Sequence, residues 1–252
     1  MGERDSALVA PLRGVRAVVF DTDGVLTDSA RLHAQAWKTV FDEYLRDHPP
    51  AAAADRRPFA VATDYPSLVD GKARLDGAEA FLASRGLHPG PEAVAAVAAE
   101  KDAVYRARLT AGPPVRACPG AVPLLRALRA AKVPAAAASA SRHARQVLGG
   151  ADLLTWFDAV VDGVEAARLA LPGKPAPDLF LETARRLGVA PGEAAVVEDA
   201  PAGVAAARRG GFRLVVGVDR TQDRSRTGEL MDQGADLVVG TLDELLAQGA
   251  PR

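Results

Sequence analysis

The strongest constraint on the fold is an alternation of short apolar runs with amphipathic segments of helical length. Such alternation is typical of a parallel sheet with helices on both faces, so we predict an α/β fold. The second strand below is mostly alanine, a poor strand former, and is predicted from the helical segments that flank it. The predicted strands are Val15–Phe20, Val133–Ser139, Ala159–Asp162, Ala195–Glu198, Leu214–Val218 and Leu237–Val239.

The region from about residue 29 to about residue 108 interrupts this alternation with helical patterns alone. We therefore predict a helical domain over residues 29–108, inserted into a core domain of residues 1–28 and 109–252. Helices are predicted in the insertion at Ser29–His48, Asp76–Arg85 and Pro91–Arg108, and in the core at Ala121–Ala131, Arg142–Leu148, Asp178–Leu187, Pro201–Arg209 and Leu242–Gln248. The loop from Pro49 to about Asp70 gives no clear pattern.

Composition excludes several classes of protein. With 252 residues and 48% hydrophobic content, the chain can bury a sizeable core. The formal charge of −1 and the lack of a long Lys/Arg cluster predict no nucleic-acid partner. Apolar stretches fall short of the roughly 20 residues needed to cross a bilayer, so no membrane span is expected. The single cysteine, Cys118, can form no intrachain disulfide, and no segment resembles a signal peptide, so we expect a cytoplasmic protein. We also expect a monomer.

Carboxylates follow two of the predicted strands. Asp21 and Asp23 follow the first strand, where Gly24 permits a sharp turn, and Glu198 and Asp199 end the fourth. The carboxyl ends of parallel strands face a common crevice where ligands bind. Clustered carboxylates repel one another unless a proton or cation intervenes, and Mg²⁺ prefers oxygen ligands. The two pairs therefore predict a Mg²⁺ site.

A hydroxyl and a cation accompany these carboxylates. Ser139 closes the second predicted strand, and Lys174 lies in "LPGKPAP". The combined set is suited to phosphoryl transfer, which needs positioning and neutralisation of charge on the transferring oxygens. Asp21 would then be the nucleophile and Asp23 the proton carrier. A turn or helix-capping role is the simpler interpretation for Asp28.

Four ordered segments resemble the motifs of the haloacid-dehalogenase superfamily of phosphotransferases. They are "DTDGVLTD", "SASRH", "GKPAPDLF" and "VVEDAPAGVAAARRGG", and they span almost the whole chain. This resemblance implies a Rossmann-like core, an inserted cap domain, an aspartyl-phosphate intermediate and Mg²⁺.

The resemblance also implies a role for each matching residue. Asp21 would be the nucleophile and a metal ligand, and Asp23 the acid/base whose backbone carbonyl also faces the metal. Asp199 would be a further ligand, and Glu198 a ligand acting directly or through water. The transferring phosphate would be held by Ser139 and Lys174.

A narrower resemblance, to the β-phosphoglucomutase subgroup, lies in the insertion. "DTDGVLTDSARLHAQAW" is similar to the opening of that subgroup, with Ser29 and His33 in matching places. Arg74 in "VDGKARLDG" lies where the subgroup has an arginine for the distal phosphate, and Lys101 matches a cap lysine. The "SASRH" segment matches a substrate-contacting element; its residues are Ser139, Ala140, Ser141, Arg142 and His143.

Departures from the subgroup and simpler interpretations leave parts of this prediction open. His143 replaces the usual Asn and Arg142 replaces a Lys, so the sugar and its anomer stay open. A core-packing role is the alternative for His33, and a surface role for Arg74 and Lys101.

Three functions follow from these residues. The leading one is a phosphomutase that interconverts β-glucose 1-phosphate and glucose 6-phosphate through the 1,6-bisphosphate. The first alternative is a sugar-phosphate phosphatase that uses the same nucleophile. A non-catalytic phosphoacceptor module is the third, and the inserted domain and the Asp-x-Asp spacing argue against it. In the first two cases the partner is a small sugar phosphate.

Overall fold

The computed structural model describes residues 7–221 and 223–247. Over these ranges the chain forms one parallel sheet, which confirms the predicted α/β fold. Its strands are β1 (Ala17–Phe20), β2 (Ala135–Ala138), β3 (Ala159–Val161), β4 (Ala194–Glu198), β5 (Leu214–Val218) and β6 (Leu237–Val239). They lie in the order β3-β2-β1-β4-β5-β6. β1 is therefore central, and its neighbours β2 and β4 bring their carboxyl ends beside its own.

Helices cover both faces of the sheet. They are α1 (Ala30–Asp47), α2 (Arg74–Ser84), α3 (Pro91–Ala111), α4 (Ala121–Ala131), α5 (Ala144–Gly150), α6 (Gly163–Arg168), α7 (Asp178–Arg186), α8 (Pro201–Arg209) and α9 (Arg224–Asp232). Side chains of β1 alternate between two hydrophobic clusters, Val18 and Phe20 on one face and Val19 on the other. In residues 7–221 and 223–247, no helix combines the length and apolar character that a membrane crossing requires.

Helices α1, α2 and α3 pack against one another around an aromatic cluster that includes Trp37, Phe41, Phe59 and Phe81. Where the chain enters this helical region, Asp28 makes two hydrogen bonds with Arg116: its amide donates to the Arg116 carbonyl and its carboxylate accepts from the Arg116 amide. Asp28 thus joins the two chain segments that connect the sheet to the helical region. The domain limits at residues 28 and 109 stay a prediction.

Three parts of the secondary structure differ from the sequence prediction. Helices α6 and α9 were not predicted, because α6 is shorter than two turns and α9 buries only Leu230, which leaves no apolar stripe. The predicted helix Leu242–Gln248 is a 3₁₀ helix over Leu242–Leu245, and Gln248 lies outside the described residues. The loop without a pattern contains a 3₁₀ helix and a π-helix, Ala53–Arg56 and Tyr65–Val69.

The all-alanine strand β2 forms as predicted despite its poor propensity. All four of its residues are buried, and it lies between β1 and β3. Small side chains let helix α7 pack closely on this part of the sheet. Tertiary packing therefore overrides strand propensity here.

A buried ion pair stabilises the helical region. The Arg85 side chain is 1% exposed, and its guanidinium lies 2.5 Å from Asp64 and over the ring of Phe81. We expect Arg85→Met to lower the free energy of unfolding by about 3 kcal/mol at neutral pH, because it leaves a buried carboxylate poorly compensated. Urea denaturation would measure the loss. Arg57→Met is the control: Arg57 pairs with the same carboxylate, is 55% exposed, and should cost under about 1 kcal/mol.

The pH dependence of this pair has a defined sign. Burial tends to raise the pKa of Asp64, but hydrogen bonds from the Ala60 amide, Arg85 and Arg57 lower it below the usual 3.8. The stabilisation is therefore present above pH 3.8 and is lost as the pH falls through the lower, folded-state pKa. The loss in free energy of unfolding that Arg85→Met causes should therefore shrink in strong acid. A loss that stays constant there would contradict a stabilising ion pair between Arg85 and Asp64.

Candidate active site

A cavity of about 520 Å³ lies at the carboxyl end of the sheet. Because β1 is flanked by β2 and β4, residues that follow these three strands reach it together. It is also lined by residues of α1, α2 and α3 on the opposite side. Predicted site residues that line it are Asp21, Asp23, His33, Arg74, Lys101, Ser139, Ala140, Ser141, Arg142, His143, Lys174 and Asp199.

Asp21 and Lys174 form a buried ion pair at the base of this cavity. The Lys174 ammonium donates to Asp21 Oδ1 at 2.5 Å and to Glu198 Oε1 at 2.6 Å. Burial raises the pKa of Asp21 to about 8 although Lys174 opposes the shift. Burial also disfavours the charge of Lys174, but Asp21 and Glu198 raise its pKa above the usual value. The lysine thus holds two carboxylates that would otherwise repel each other.

Glu198 and Asp199 form the second acidic part of the site. Glu198 Oε2 accepts hydrogen bonds from the amides of Asp199 and Ala200, at 2.5 and 2.8 Å. Burial, followed by the charges of neighbouring carboxylates, raises the pKa of Asp199 well above its usual range. Gly24 has a φ of +90°, and a β-carbon there would collide with Asp199 Oδ2. Only glycine therefore lets the turn after Asp23 approach this carboxylate.

The donor set fits a hard divalent cation. One oxygen each from Asp21, Glu198 and Asp199 lies within 4.8 Å of the others. Burial, with the charges of neighbouring carboxylates, raises the pKa of both Asp21 and Asp199, so positive charge beyond that of Lys174 would stabilise their ionised forms. A cation with a preference for oxygen ligands, such as Mg²⁺, would supply that charge. Glu198 already accepts from Lys174 and two amides, so it is the least free of the three carboxylates.

Asp23 is held by groups from three parts of the chain. Its carboxylate accepts a hydrogen bond from Ser29 at 2.5 Å and one from Ser139 at 3.2 Å, and it lies 3.3 Å from His33 Nε2. Burial tends to raise its pKa, but His33 and Ser29 together lower the pKa to about 2. These contacts favour the ionised form of the Asp23 carboxylate. Ser29 is the residue before α1, and its hydroxyl bonds Asp23 instead of capping the helix.

His33 links Asp23 to helix α3. Lys101 Nζ lies 2.7 Å from His33 Nδ1, and because an ammonium only donates, this nitrogen is the acceptor. The ring proton is thus placed on Nε2, which faces Asp23. Burial and then Lys101 lower the pKa of His33, and burial lowers that of Lys101 to about 8. The ring also stacks on Tyr105, as a core-packing histidine would.

The remaining predicted residues surround the middle of the cavity. Arg74 is the first residue of α2, and its guanidinium lies 4.0 Å from Asp102. His143 Nε2 is 2.8 Å from the same Asp102 carboxylate. Ser139 Oγ accepts from the Ser141 amide, which closes the loop after β2. Lys101 lines the cavity and its ammonium contacts His33, and its role in binding substrate stays a prediction.

Three acidic residues that line the cavity were missed in the sequence, namely Asp70, Asp76 and Asp102. All three lie in segments already singled out, the first two in "VDGKARLDG" and the third in "AEKDAVY". Their positions beside Arg74 and Lys101 were the available signal. An acidic residue beside a cation on a helical surface is commonly a solvated pair, so the signal was weak.

A parallel sheet with buried acidic groups, a lysine and a serine at its carboxyl edge has the fold and site of an α/β enzyme. Residues 15–211 match the family model for haloacid dehalogenase-like hydrolases, and the chain belongs to that family, as predicted. Beta-phosphoglucomutase of Mycobacterium bovis is 42% identical over 241 residues, which cover 92% of each chain.

Two other relatives extend this comparison. Hexitol phosphatase A of Escherichia coli is 29% identical over 240 residues, covering 94% of this chain and 95% of the phosphatase. The crystal structure of beta-phosphoglucomutase from Clostridium difficile superposes with a TM-score of 0.72 at 24% identity, covering 92% of this chain and 93% of that one. The last likeness shows the fold alone. Both mutases and phosphatases are thus among the full-length relatives.

Proposed function

We propose that this protein is a Mg²⁺-dependent phosphomutase that interconverts β-glucose 1-phosphate and glucose 6-phosphate. One observation carries the proposal: the Asp23 carboxylate is tied to Ser29 and faces His33, which Lys101 contacts from α3. The proton carrier is thereby connected to the helices that line the far side of the cavity. The 42% identity to a mycobacterial beta-phosphoglucomutase supports the same reaction.

In the proposed cycle, the phosphoryl group begins on a carboxylate oxygen of Asp21. The 6-hydroxyl of β-glucose 1-phosphate attacks phosphorus, the bond from phosphorus to Asp21 breaks, and Asp23 takes the hydroxyl proton. Glucose 1,6-bisphosphate then reorients within the site. Asp21 attacks the phosphorus of the 1-phosphate, and Asp23 returns the proton to the departing sugar oxygen. Glucose 6-phosphate leaves, and the phosphorylated enzyme is regenerated without consuming water.

The other site residues bind and neutralise charge in this proposal. Lys174 and Ser139 hold the phosphate that is being transferred, and Arg74 holds the other one. The sugar is contacted by the loop after β2, through Ala140, Ser141, Arg142 and His143. Bound Mg²⁺ would neutralise charge on the transferring oxygens; Asp21, Asp199 and the carbonyl of Asp23 would hold it, with Glu198 in support.

The Asp23 contacts support transfer to sugar over transfer to water. A phosphoaspartate is hydrolysed whenever water reaches it beside a positioned base. Because Ser29, His33 and Lys101 lie on or beside α1 and α3, we propose that Asp23 takes its working position only when these helices close over a sugar. Such closure excludes water at the same moment.

A sugar-phosphate phosphatase is the second candidate. It would use the same Asp21, Asp23 and Lys174, and the relative named hexitol phosphatase A covers 94% of this chain. The two functions differ in whether water or a sugar hydroxyl accepts the phosphoryl group. The core residues do not distinguish them, so the distinction rests on the residues around Asp23.

A product assay separates the candidates. The protein would be incubated with β-glucose 1-phosphate, Mg²⁺ and a trace of glucose 1,6-bisphosphate. Glucose 6-phosphate without free phosphate is the expected product. Stoichiometric release of phosphate would contradict the mutase and support the phosphatase, and lack of multiple turnover on any sugar phosphate would contradict both.

The link through His33 gives a prediction about product partition. We expect His33→Gln to slow formation of glucose 6-phosphate by about tenfold or more, because Asp23 loses the group that connects it to α3. The share of turnovers ending in free phosphate should rise, as measured by assaying both products together. His48→Gln, at the other end of α1, is the matched control and should match the unmodified protein. If that share were the same in His33→Gln and His48→Gln, the proposed role of His33 would be contradicted.

A further inference from the structure

Arg226 of helix α9 touches two segments that the proposed function places on opposite sides of the cavity. One guanidinium nitrogen donates to the backbone carbonyl of Asp199 at 2.8 Å and lies 3.3 Å from Asp70 Oδ2. A second nitrogen bonds Glu229 at 3.1 Å on the same helix. The Arg226 and Asp70 side chains are only 17% and 12% exposed. One cation therefore joins the loop after β4 to the segment just before α2.

The backbone at this junction is closely packed as well. Gly71 has a φ of +71°, and a β-carbon there would lie 2.7 Å from Ala200 Cβ. The 70–74 segment, which ends at Arg74, is thus seated on the loop that carries Asp199. Its position sets where Arg74 begins helix α2.

Charge explains why a cation is needed at this place. Asp70 lies beside a cavity that already contains Asp21 and Asp199, so its carboxylate would be repelled from the site. Arg226 offsets that repulsion with a hydrogen-bonded positive charge. Helix α9 buries only Leu230, and the guanidinium contacts add to its packing on β5 and β6 and to the hydrogen bond from Thr227 to Asp219.

We infer that Arg226 and Asp70 are positioning residues that couple the 70–74 segment to the Asp199 loop. Through Asp199 the pair acts on the candidate metal site, and through the 70–74 segment it acts on Arg74. The inference rests on the proposed function for the roles of Asp199 and Arg74. The coupling itself is a property of the contacts and is measurable without substrate.

The test uses Asp70→Asn, Arg226→Gln and the double variant, with Arg224→Gln as a control. Arg224 lies on the same helix, is exposed, and carries the same charge. Hydrogen exchange of the full-length protein without metal would measure protection of residues 69–74 and 199–203. Calorimetric titration with Mg²⁺ alone would measure metal affinity. The product assay would measure how turnovers divide between glucose 6-phosphate and free phosphate.

Each single variant should speed exchange in both segments and weaken Mg²⁺ binding by about tenfold, as expected when a partner that orients a metal-site loop is lost. The share of turnovers ending in phosphate should rise. The double variant should be no worse than the single ones, because the residues act as one unit. Arg226→Lys should restore part of the Mg²⁺ affinity, since it keeps the charge.

Two results would overturn the inference. One is faster exchange confined to α9 in Arg226→Gln, with both segments protected as in the unmodified protein. The other is additive losses of Mg²⁺ affinity in the double variant. Failure of the proposed function has a different signature: the unmodified protein would form no glucose 6-phosphate, while exchange and Mg²⁺ affinity would still report the coupling.

Discussion

Replacing Asp21 with asparagine should abolish turnover of β-glucose 1-phosphate, with a loss of about a thousandfold or more. An amide oxygen is a far weaker nucleophile than a carboxylate, and no aspartyl phosphate can form. The neighbouring Asp23 is tied to Ser29 and His33, so it is not free to substitute. Steady-state assay of both glucose 6-phosphate and free phosphate would measure the loss.

The fold should survive this change. Asp21 is buried and its pKa is raised to about 8, so its charge is costly in the metal-free protein. Lys174 keeps its bond to Glu198 in the variant. The free energy of unfolding is therefore expected to stay within about 1 kcal/mol of the original. Asp28→Asn is the control, since Asp28 bonds Arg116 away from the cavity, and it should keep its activity.

Full activity in Asp21→Asn would refute the mechanism. A variant that no longer forms glucose 6-phosphate but still releases free phosphate would also refute it, because both candidate functions use this nucleophile. The third function considered above, a non-catalytic phosphoacceptor module, makes a different prediction, since such a module turns over no sugar phosphate. Multiple turnover that disappears in Asp21→Asn would exclude it.

Most strands of the sheet could be predicted from the sequence because apolar, β-branched runs occur where buried strands lie. The apolar run before Asp21 is central in the sheet and fully buried, so its carboxyl end and the placement of Asp21 were predictable, although the strand begins at Ala17 and not at Val15. Strand β5, which is also fully buried, was predicted residue for residue, and so was the partly buried edge strand β6. A carboxylate directly after a buried strand has few places to lie other than the crevice.

Contacts between distant segments could not be predicted in this way. Helix α9 has no apolar period, so Arg226 gave no sign that it reaches Asp70. The contact of Lys101 with His33 depends on the packing of α3 against α1, which sequence spacing does not fix. Such pairs are set by tertiary packing, and for this reason the residues lining the far side of the cavity were the harder part of the site.

Lys174→Met should impair both stability and catalysis. The side chain is 1% exposed, and its ammonium bonds Asp21 and Glu198 and lies over the Phe180 ring. Its removal leaves buried carboxylates facing one another, and breaking such a pair costs about 4 kcal/mol. We expect a loss of that size in the metal-free protein at neutral pH, measured by urea denaturation. Lys38→Met, which removes a half-exposed ion pair with Asp42 and a hydrogen bond to the Phe59 carbonyl, should cost about 1 kcal/mol.

Adding Glu198→Gln to Lys174→Met separates the two effects. The amide removes one uncompensated charge and keeps an oxygen that accepts from the Asp199 and Ala200 amides, so part of the stability should return. Turnover should stay at least about a hundredfold below that of the original protein, because the Lys174 ammonium no longer faces the transferring phosphate oxygens. A double variant that regained activity along with stability would show that Lys174 serves only to hold the carboxylates together. If stability returns while turnover stays well below that of the Glu198→Gln single variant, the lysine acts on the phosphoryl group itself.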